Sequence, residues 1–345
     1  MALDTQKMKK RRLLAAICLV SGFSVVRAQG AEPLGLRAAH IFDDKHPWQK
    51  GLEKFSELVE TRSKGALTVK IFDNAVLGSE RSYFSRLLLG DLDLAVVSTG
   101  SAGDLAEVLN FLDTMFLWKD RAQWQRALDG EIGQRIASAI EKGTAKGGNP
   151  GLKALGYWGG SPRHLMGSKR GFTSLEQMRG LRLRVQASPV QEELWARLGV
   201  TPIVIPLAET ARALRAQRVE ALDQEMANAF ALGLHKVAPH VTETGHTWTV
   251  RPLLMSGHTW KKLTPEQQEI VVAAAKEASR VARQAEWKQN DEATVQMKAE
   301  GVEFYPFPAE ERKAMRELTE GIRRRVAERL GVGDILTAIK TDAEK

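Results

Sequence analysis

Two arginines alternate with apolar residues in the stretch GLRLRV, residues 180–185: Leu181, Leu183 and Val185 fall on one side of a period-2 element, Arg182 and Arg184 on the other. A permanent cation on the second face of so apolar a strand has two readings. Either the face is a half-solvated edge, or a guanidinium is held in place to grip an anion through two parallel charge-assisted hydrogen bonds.

Other chemistries leave no trace in the chain. It has no G-x-x-x-x-G-K-[ST] phosphate loop, no G-x-G-x-x-G after a strand, no H-E-x-x-H and no G-x-S-x-G elbow. His235, His240 and His246 are five and six residues apart, a spacing that does not stack ligands on one helix face. The sole cysteine, Cys18, lies in an apolar run (13–26) that follows the basic segment KMKKRR and precedes the small-residue pattern Val26-Arg27-Ala28. Residues 1–28 are therefore expected to be a cleavable secretory signal peptide. Ile17 before Cys18 speaks against lipidation, and removal of the peptide leaves no thiol. No cofactor and no metal are expected.

The same segment carries six of the 50 basic side chains and one of the 42 acidic ones, so the processed chain drops from a net charge of +8 to +3. So balanced a chain gives no support for nucleic-acid binding. The RRR run at 323–325 reads as the solvated face of a terminal amphipathic helix, and no later apolar run reaches membrane length.

The elements that must position the arginines alternate. Strand patterns at 34–42, 66–72 and 91–98 are separated by helical ones at 46–65, with Pro47 at its first position, and after Ser79 up to Gly90. A second run follows, with a strand at 152–158, a Gly-Pro turn GGSPRH expected at a lobe boundary, a Thr173/Glu176 capping box, and the strand from Leu181. Helix, strand, helix and strand then succeed one another through EALDQE. Residues 264–301 form one uninterrupted helical pattern opened by Thr264, Pro265 and Gln267. At ~1.5 Å per residue it is about 50 Å long, enough to brace two lobes. The expected fold is α/β, mostly parallel, in two lobes around a cleft.

Four segments carry a resemblance. LGSERSYFSRLLLGDLDLAVV, GSPRHLMGSKRGFTSLEQMRGLRLRV, LGVTPIVIPLAETARALRAQRVEALDQE and WKKLTPEQQEIVVAAAKEA occur in order between residues 34 and 310. They resemble the solute-binding subunits of tripartite ATP-independent periplasmic (TRAP) transporters, in their dicarboxylate-binding branch. The resemblance implies a two-lobe periplasmic binding protein with a hinge and a long helix spanning both lobes. It also implies a periplasmic receptor, not an enzyme, that captures a small organic acid and delivers it to the small and large membrane subunits. Lobe I is expected at 33–159 plus about 249–288, lobe II at 160–248 plus about 289–335. A ligand-loaded sensor, or a periplasmic lyase or hydrolase in the same cleft, are the alternatives.

By the family pattern G-[LM]-[KR]-[IL]-R-V, the carboxylate-gripping arginine is Arg184, and Arg182 occupies the variable basic position. The family's second arginine, in a G-x-R turn, maps to Arg163. Its E-N-P segment maps to Asp223 and Gln224, so Gln224 replaces an asparagine by an amide one methylene longer. Leu207 stands where an aromatic ring is frequent. Glu80 and Ser98 map to the cleft side of the first lobe, Trp158 and Trp248 flank the lobe crossings, and His246 is a lesser ligand candidate.

Overall fold

The computed structural model describes residues 32–344; the expected signal peptide lies outside them. The chain runs β1 (Leu34–Ala39), α1 (Pro47–Arg62), β2 (Leu67–Phe72), α2 (Glu80–Leu89), β3 (Leu94–Val96), α3 (Val108–Leu112), α4 (Arg121–Asp129), α5 (Glu131–Thr144) and β4 (Leu152–Gly167). It continues with β5 (Arg182–Val185), α6 (Pro189–Arg197), β6 (Thr201–Val204), α7 (Thr210–Arg215), β7 (Ala221–Gln224), α8 (Met226–Ala231) and β8 (His240–Ser256). It ends with α9 (Gly257–Trp260), α10 (Pro265–Ala299), β9 (Glu303–Pro306), α11 (Ala309–Arg329) and α12 (Gly333–Asp342).

All nine strands join one sheet in the order β2-β1-β3-β8-β4-β7-β5-β6, with β9 also paired to β8. Each end of the sheet is parallel: β1 lies between β2 and β3, and β5 between β6 and β7. Crossover helices explain this, because parallel neighbours need a long return connection. Between the two ends stands an antiparallel pair, β4 and β8, of 16 and 17 residues. At ~3.3 Å per residue each strand is about 50 Å long and serves both ends of the sheet.

The register of that pair shifts three times, between Ala154 and Gly156, Gly159 and Pro162, and Arg163 and Leu165. The GGSPRH segment is therefore not a turn but the middle of β4. Gly and Pro punctuate a strand at bulges as well as at turns, and Pro162 sits where the ladder is already broken. Gly159 (φ +99°) and Gly160 (φ +85°) take the left-handed backbone that this bend requires, and a Cβ on Gly159 would lie 2.6 Å from the Thr249 carbonyl. The expected Thr173/Glu176 capping box is also absent. Only a single 3-10 turn, Glu176–Met178, forms there, and the Thr173 N–H donates to Gln177 Oε1 at 2.9 Å.

The long helix stands as the spacing indicated. Thr264 and Gln267 close a reciprocal capping box, and Pro265 takes the first turn. Its first half buries Val271, Ala274, Ala275, Ala278 and Ala282 with Leu52, Phe55 and Trp158. Its second half buries Ala293 and Met297 with Met166, Leu222 and Val241. One helix thus covers the same side of both sheet ends. The opposite side is filled by a third cluster that includes Phe84, Leu112, Trp124, Leu183 and Trp195. The RRR run departs from its expected solvated face: Arg323 is buried and donates to the Met115 carbonyl at 2.6 Å.

Small residues let α1 and α10 meet closely over β4. A β-carbon on Gly51 would lie 2.6 Å from Trp158 Cη2 and 2.7 Å from Ala282 Cβ. Gly51→Val is therefore expected to destabilise the protein by about 1–3 kcal/mol through overpacking, read as a lower denaturation midpoint in urea. An unchanged midpoint would show that the helices part without cost.

Candidate ligand site

The two arginines of β5 separate completely. Arg182 keeps its head in solvent, with 45% of its side chain exposed, and pairs with Glu220 at 3.2 Å. Arg184 is buried at 2% exposure, in a strand whose Leu183 and Val185 are wholly buried. Its Nε donates to the Ile205 carbonyl at 2.8 Å, while its Nη1 has no hydrogen-bond partner. Among the described residues Arg184 forms no ion pair.

Arg163, on β4, is also buried, and all three nitrogens of its guanidinium donate. Nε donates to Asp223 Oδ2 at 2.6 Å, Nη1 to Glu225 Oε2 at 2.7 Å and Gln224 Oε1 at 2.9 Å, and Nη2 to the Asp223 carbonyl at 2.6 Å. These acceptors stand in one run because β7 ends at Gln224 and α8 begins two residues on, so three consecutive side chains and a carbonyl face β4. Arg251, on β8, donates to the other Glu225 oxygen at 2.7 Å. Burial works against the charge on Arg163, but Asp223 and Glu225 outweigh it and hold its pKa above the ordinary value. Burial likewise opposes ionisation of Asp223 and Glu225, yet Arg163 with His246, and Arg251 with Arg163, keep both carboxyls below the usual range.

The network spreads in two directions. His246, wholly buried, faces Asp223 Oδ2 at 3.3 Å and Thr244 Oγ1 at 2.8 Å, with Trp195 edge-on at 4.9 Å. On the other side Asn228 donates to Glu225 Oε1 at 2.6 Å and faces His46 Nε2 at 3.0 Å. Burial holds the His46 imidazole down to about 4. Two cations are thus matched by two carboxylates, and Arg184 is left over. Burial lowers its pKa to about 10, Asp223 pulling against that and neighbouring Arg163 adding to it, so it stays charged at neutral pH.

The remaining expected residues distribute unevenly. Glu80 is the first residue of α2, after the Ser79 cap, and accepts from the Ser98 N–H and the Ser101 hydroxyl, both at 2.7 Å, which ties it to Ser98. Glu80 also lies close enough to Arg184 to favour its charge. Trp158 stands apart: it is wholly buried in the core beneath α1 and α10, and its indole donates to Ser279 Oγ at 3.0 Å. Trp248 is half-buried opposite Pro162 in the β4–β8 register. Leu207 packs between two core clusters.

A comparison with known families decides the lineage. The model of the bacterial extracellular solute-binding protein family 7 matches residues 38–329. The chain belongs to that family. Family-7 proteins are solute-binding subunits of TRAP transporters, and this chain is one of them. A solute-binding protein of Sulfitobacter sp. (strain NAS-14.1) is 28% identical over 93% of this chain and 97% of its own length. The C4-dicarboxylate-binding periplasmic protein DctP of Rhodobacter capsulatus is 26% identical over 98% and 100%. Among solved structures, a TRAP periplasmic solute-binding protein of Pseudomonas putida F1 with bound D-glucuronate superposes with a TM-score of 0.81 at 27% identity, over 89% and 97% of the two chains. The α/β fold with its central sheet is the two-lobe fold of these proteins.

Several residues that the structure brings to this network were not expected there: Arg251, Asn228, His46 and Glu225. Glu225 follows Gln224 directly, where a strand ends on polar residues at a helix start. Arg251 and His46 come from distant elements and have no local signal.

Glu286 is the odd one electrostatically. It is buried on α10 near Arg251, Glu225 and Arg121, its Oε2 has no partner, and burial pushes its carboxyl up to about 7. The fold favours the protonated form, so its stabilising effect is present below the ordinary glutamate pKa and disappears as pH rises towards 7. Glu286→Gln is expected to leave stability unchanged near pH 4.5. At pH 8 it should raise stability by about 1–3 kcal/mol, since each tenfold change in a protonation equilibrium is worth about 1.4 kcal/mol. Denaturant unfolding across that range checks it, and parallel pH profiles for the two proteins would refute it.

Proposed function

We propose that the chain captures a small organic carboxylate on Arg184 and hands it to the small and large membrane subunits of a TRAP transporter. The observation that carries this reading is the buried Arg184 guanidinium, with an unpartnered Nη1 and no ion pair among the described residues, beside Arg163 and Arg251, whose carboxylate partners are already taken. An unmatched buried cation is destabilising by several kcal/mol unless an anion joins it. A ligand carboxylate supplies that anion with planar, bidentate geometry. The ligands in the names of the relatives, a C4-dicarboxylate and D-glucuronate, share that group.

The lobes divide, on this reading, near the β4–β8 bulges, with 33–159 plus about 249–288 in one and 160–248 plus about 289–335 in the other. Ligand held by Arg184 from one lobe, with Glu80 and Ser98 from the other beside it, favours closure through its higher affinity for the closed state. No helix among the described residues is long and apolar enough to cross a membrane. Together with the family's extracellular character, this supports export by residues 1–28 and action in the periplasm.

Calorimetry on variants tests the anchor. Arg184→Ala should weaken binding of the acid found by a thermal-shift screen by about two to four orders of magnitude, since charge-assisted hydrogen bonds are worth ~1.5–3 kcal/mol each. Arg184→Lys should fall between, having lost the planar fork. Arg182→Ala should change affinity less than about tenfold. Ligand-free stability should move the opposite way for the two buried arginines. Arg184→Met is expected to raise it and Arg163→Met to lower it by about 3–5 kcal/mol, because the latter strands Asp223 and Glu225. Equal losses of affinity for Arg182→Ala and Arg184→Ala would remove the assignment.

A further inference from the structure

His46 and Asn228 are 182 residues apart in the chain and meet in the interior, 4% and 6% exposed, with His46 Nε2 3.0 Å from Asn228 Oδ1. The partner of the other ring nitrogen fixes which group donates. The Trp48 N–H donates to His46 Nδ1 at 3.2 Å and so caps α1, which leaves the lone pair on Nδ1 and the proton on Nε2. Nε2–H therefore donates to Asn228 Oδ1, and the amide is turned so that its Nδ2 donates to Glu225 Oε1 at 2.6 Å. Three hydrogen bonds in line thus run from the first turn of α1 to the carboxylate that holds Arg163 and Arg251. Burial keeps the imidazole neutral, as this tautomer requires.

The bridge joins the two ends of the sheet. Phe42 and Trp48 pack on the imidazole, one stacked at 3.9 Å and one edge-on at 5.3 Å between ring centres. Both belong to the cluster that holds Leu36 of β1 and Leu67 of β2 under α10. Met226 and Ala229, on either side of Asn228 in α8, belong to the cluster that holds Met166, Leu222 and Val241 at the other end. Parting the two ends therefore pulls a ring fixed by one away from an amide fixed by the other. Both ring nitrogens and both ends of the amide are engaged, so the pair acts on the ends of the sheet and not on the ligand.

We propose that His46 and Asn228 are a closure latch: positioning residues whose hydrogen bond is made as the two ends of the sheet close over the ligand and is broken before the ligand leaves. The latch rests on the reading that Arg184 holds the ligand's carboxylate, because that reading supplies the closing, and goes beyond it. A bond present only in the closed state lowers the open population of the complex, so it acts on release and not on capture. Being uncharged, the bridge strengthens closure without competing with Arg184 for the anion.

Stopped-flow tryptophan fluorescence tests it with D-glucuronate, D-galacturonate and succinate, the rates being read on the tightest of the three. Asn228→Ala, and His46→Phe, which keeps a ring against Phe42, should each release that acid about three- to tenfold faster, the effect of one neutral hydrogen bond. The association rate should change less than about twofold. The double variant should lose no more than the worse single one, because one bond cannot be removed twice. His46→Gln, which keeps an amide N–H near the place of Nε2, should lie closer to the unaltered protein than His46→Phe. If His46→Phe does not fold by circular dichroism, Asn228→Ala, which leaves the α1 cap intact, decides the release rate, and His46→Ala completes the double variant. Losses that multiply in the double variant, a change confined to association, or unchanged rates would overturn the latch while leaving the Arg184 anchor standing. If none of the three acids binds, or if binding survives Arg184→Ala, the carboxylate reading fails and the latch with it.

Discussion

A guanidinium taken out of water must find negative charge or leave the fold carrying its desolvation penalty. Three arginines meet this constraint in the interior where β4, β5 and β8 face β7. Arg163 and Arg251 are matched by Asp223 and Glu225 at 2.6–2.7 Å. Arg184, with one hydrogen bond to a backbone carbonyl, is not. The matched pairs hold the strands in place, and on the proposed function the unmatched cation is the group that takes the ligand's carboxylate.

The architecture exists to keep that network in register. β4 brings Arg163, β8 brings Arg251 and His246, and both strands belong to both ends of the sheet. The bulges at Gly156, Gly159–Pro162 and Arg163–Leu165 let the long pair bend without losing its hydrogen bonds on either side. α10 then spans the bend from Pro265 to Ala299, its small residues admitting Gly51, Gly156 and Trp158 at close range. Such packing resists separation of helix and sheet.

Local patterns carried much of this into the sequence. Helices α1 and α10 were legible because caps, prolines and apolar spacing are properties of a few neighbouring residues. Strands β1, β2 and β5 were legible through their alternation. The GGSPRH segment was misread because glycine and proline mark a departure from regular backbone and do not say whether the chain reverses or merely bulges. β8 had no clean alternation to find, since its second half, from Thr249 to Ser256, is buried on both faces. The short helix after Thr173 failed because its signals were sufficient for one turn and no tertiary partner extended it.

By itself the sequence determined that the chain is α/β, that one long helix runs through about 264–301, and that a strand carries two arginines of which the second stands nearer its C-terminal end. It also carried the resemblance that names the family. Only the tertiary structure decided what each charged or polar group does. Arg163 and Gln224, both expected at the ligand, bind each other together with Asp223 and Glu225, and Trp158, expected at a lobe crossing, packs against Ser279 under α10. Arg251 and Glu286 gave no sign at all. Periodicity is written between neighbours along the chain, whereas the neutralisation of a buried charge depends on partners such as Arg163 and Asp223, 60 residues apart, that meet only when the sheet has formed.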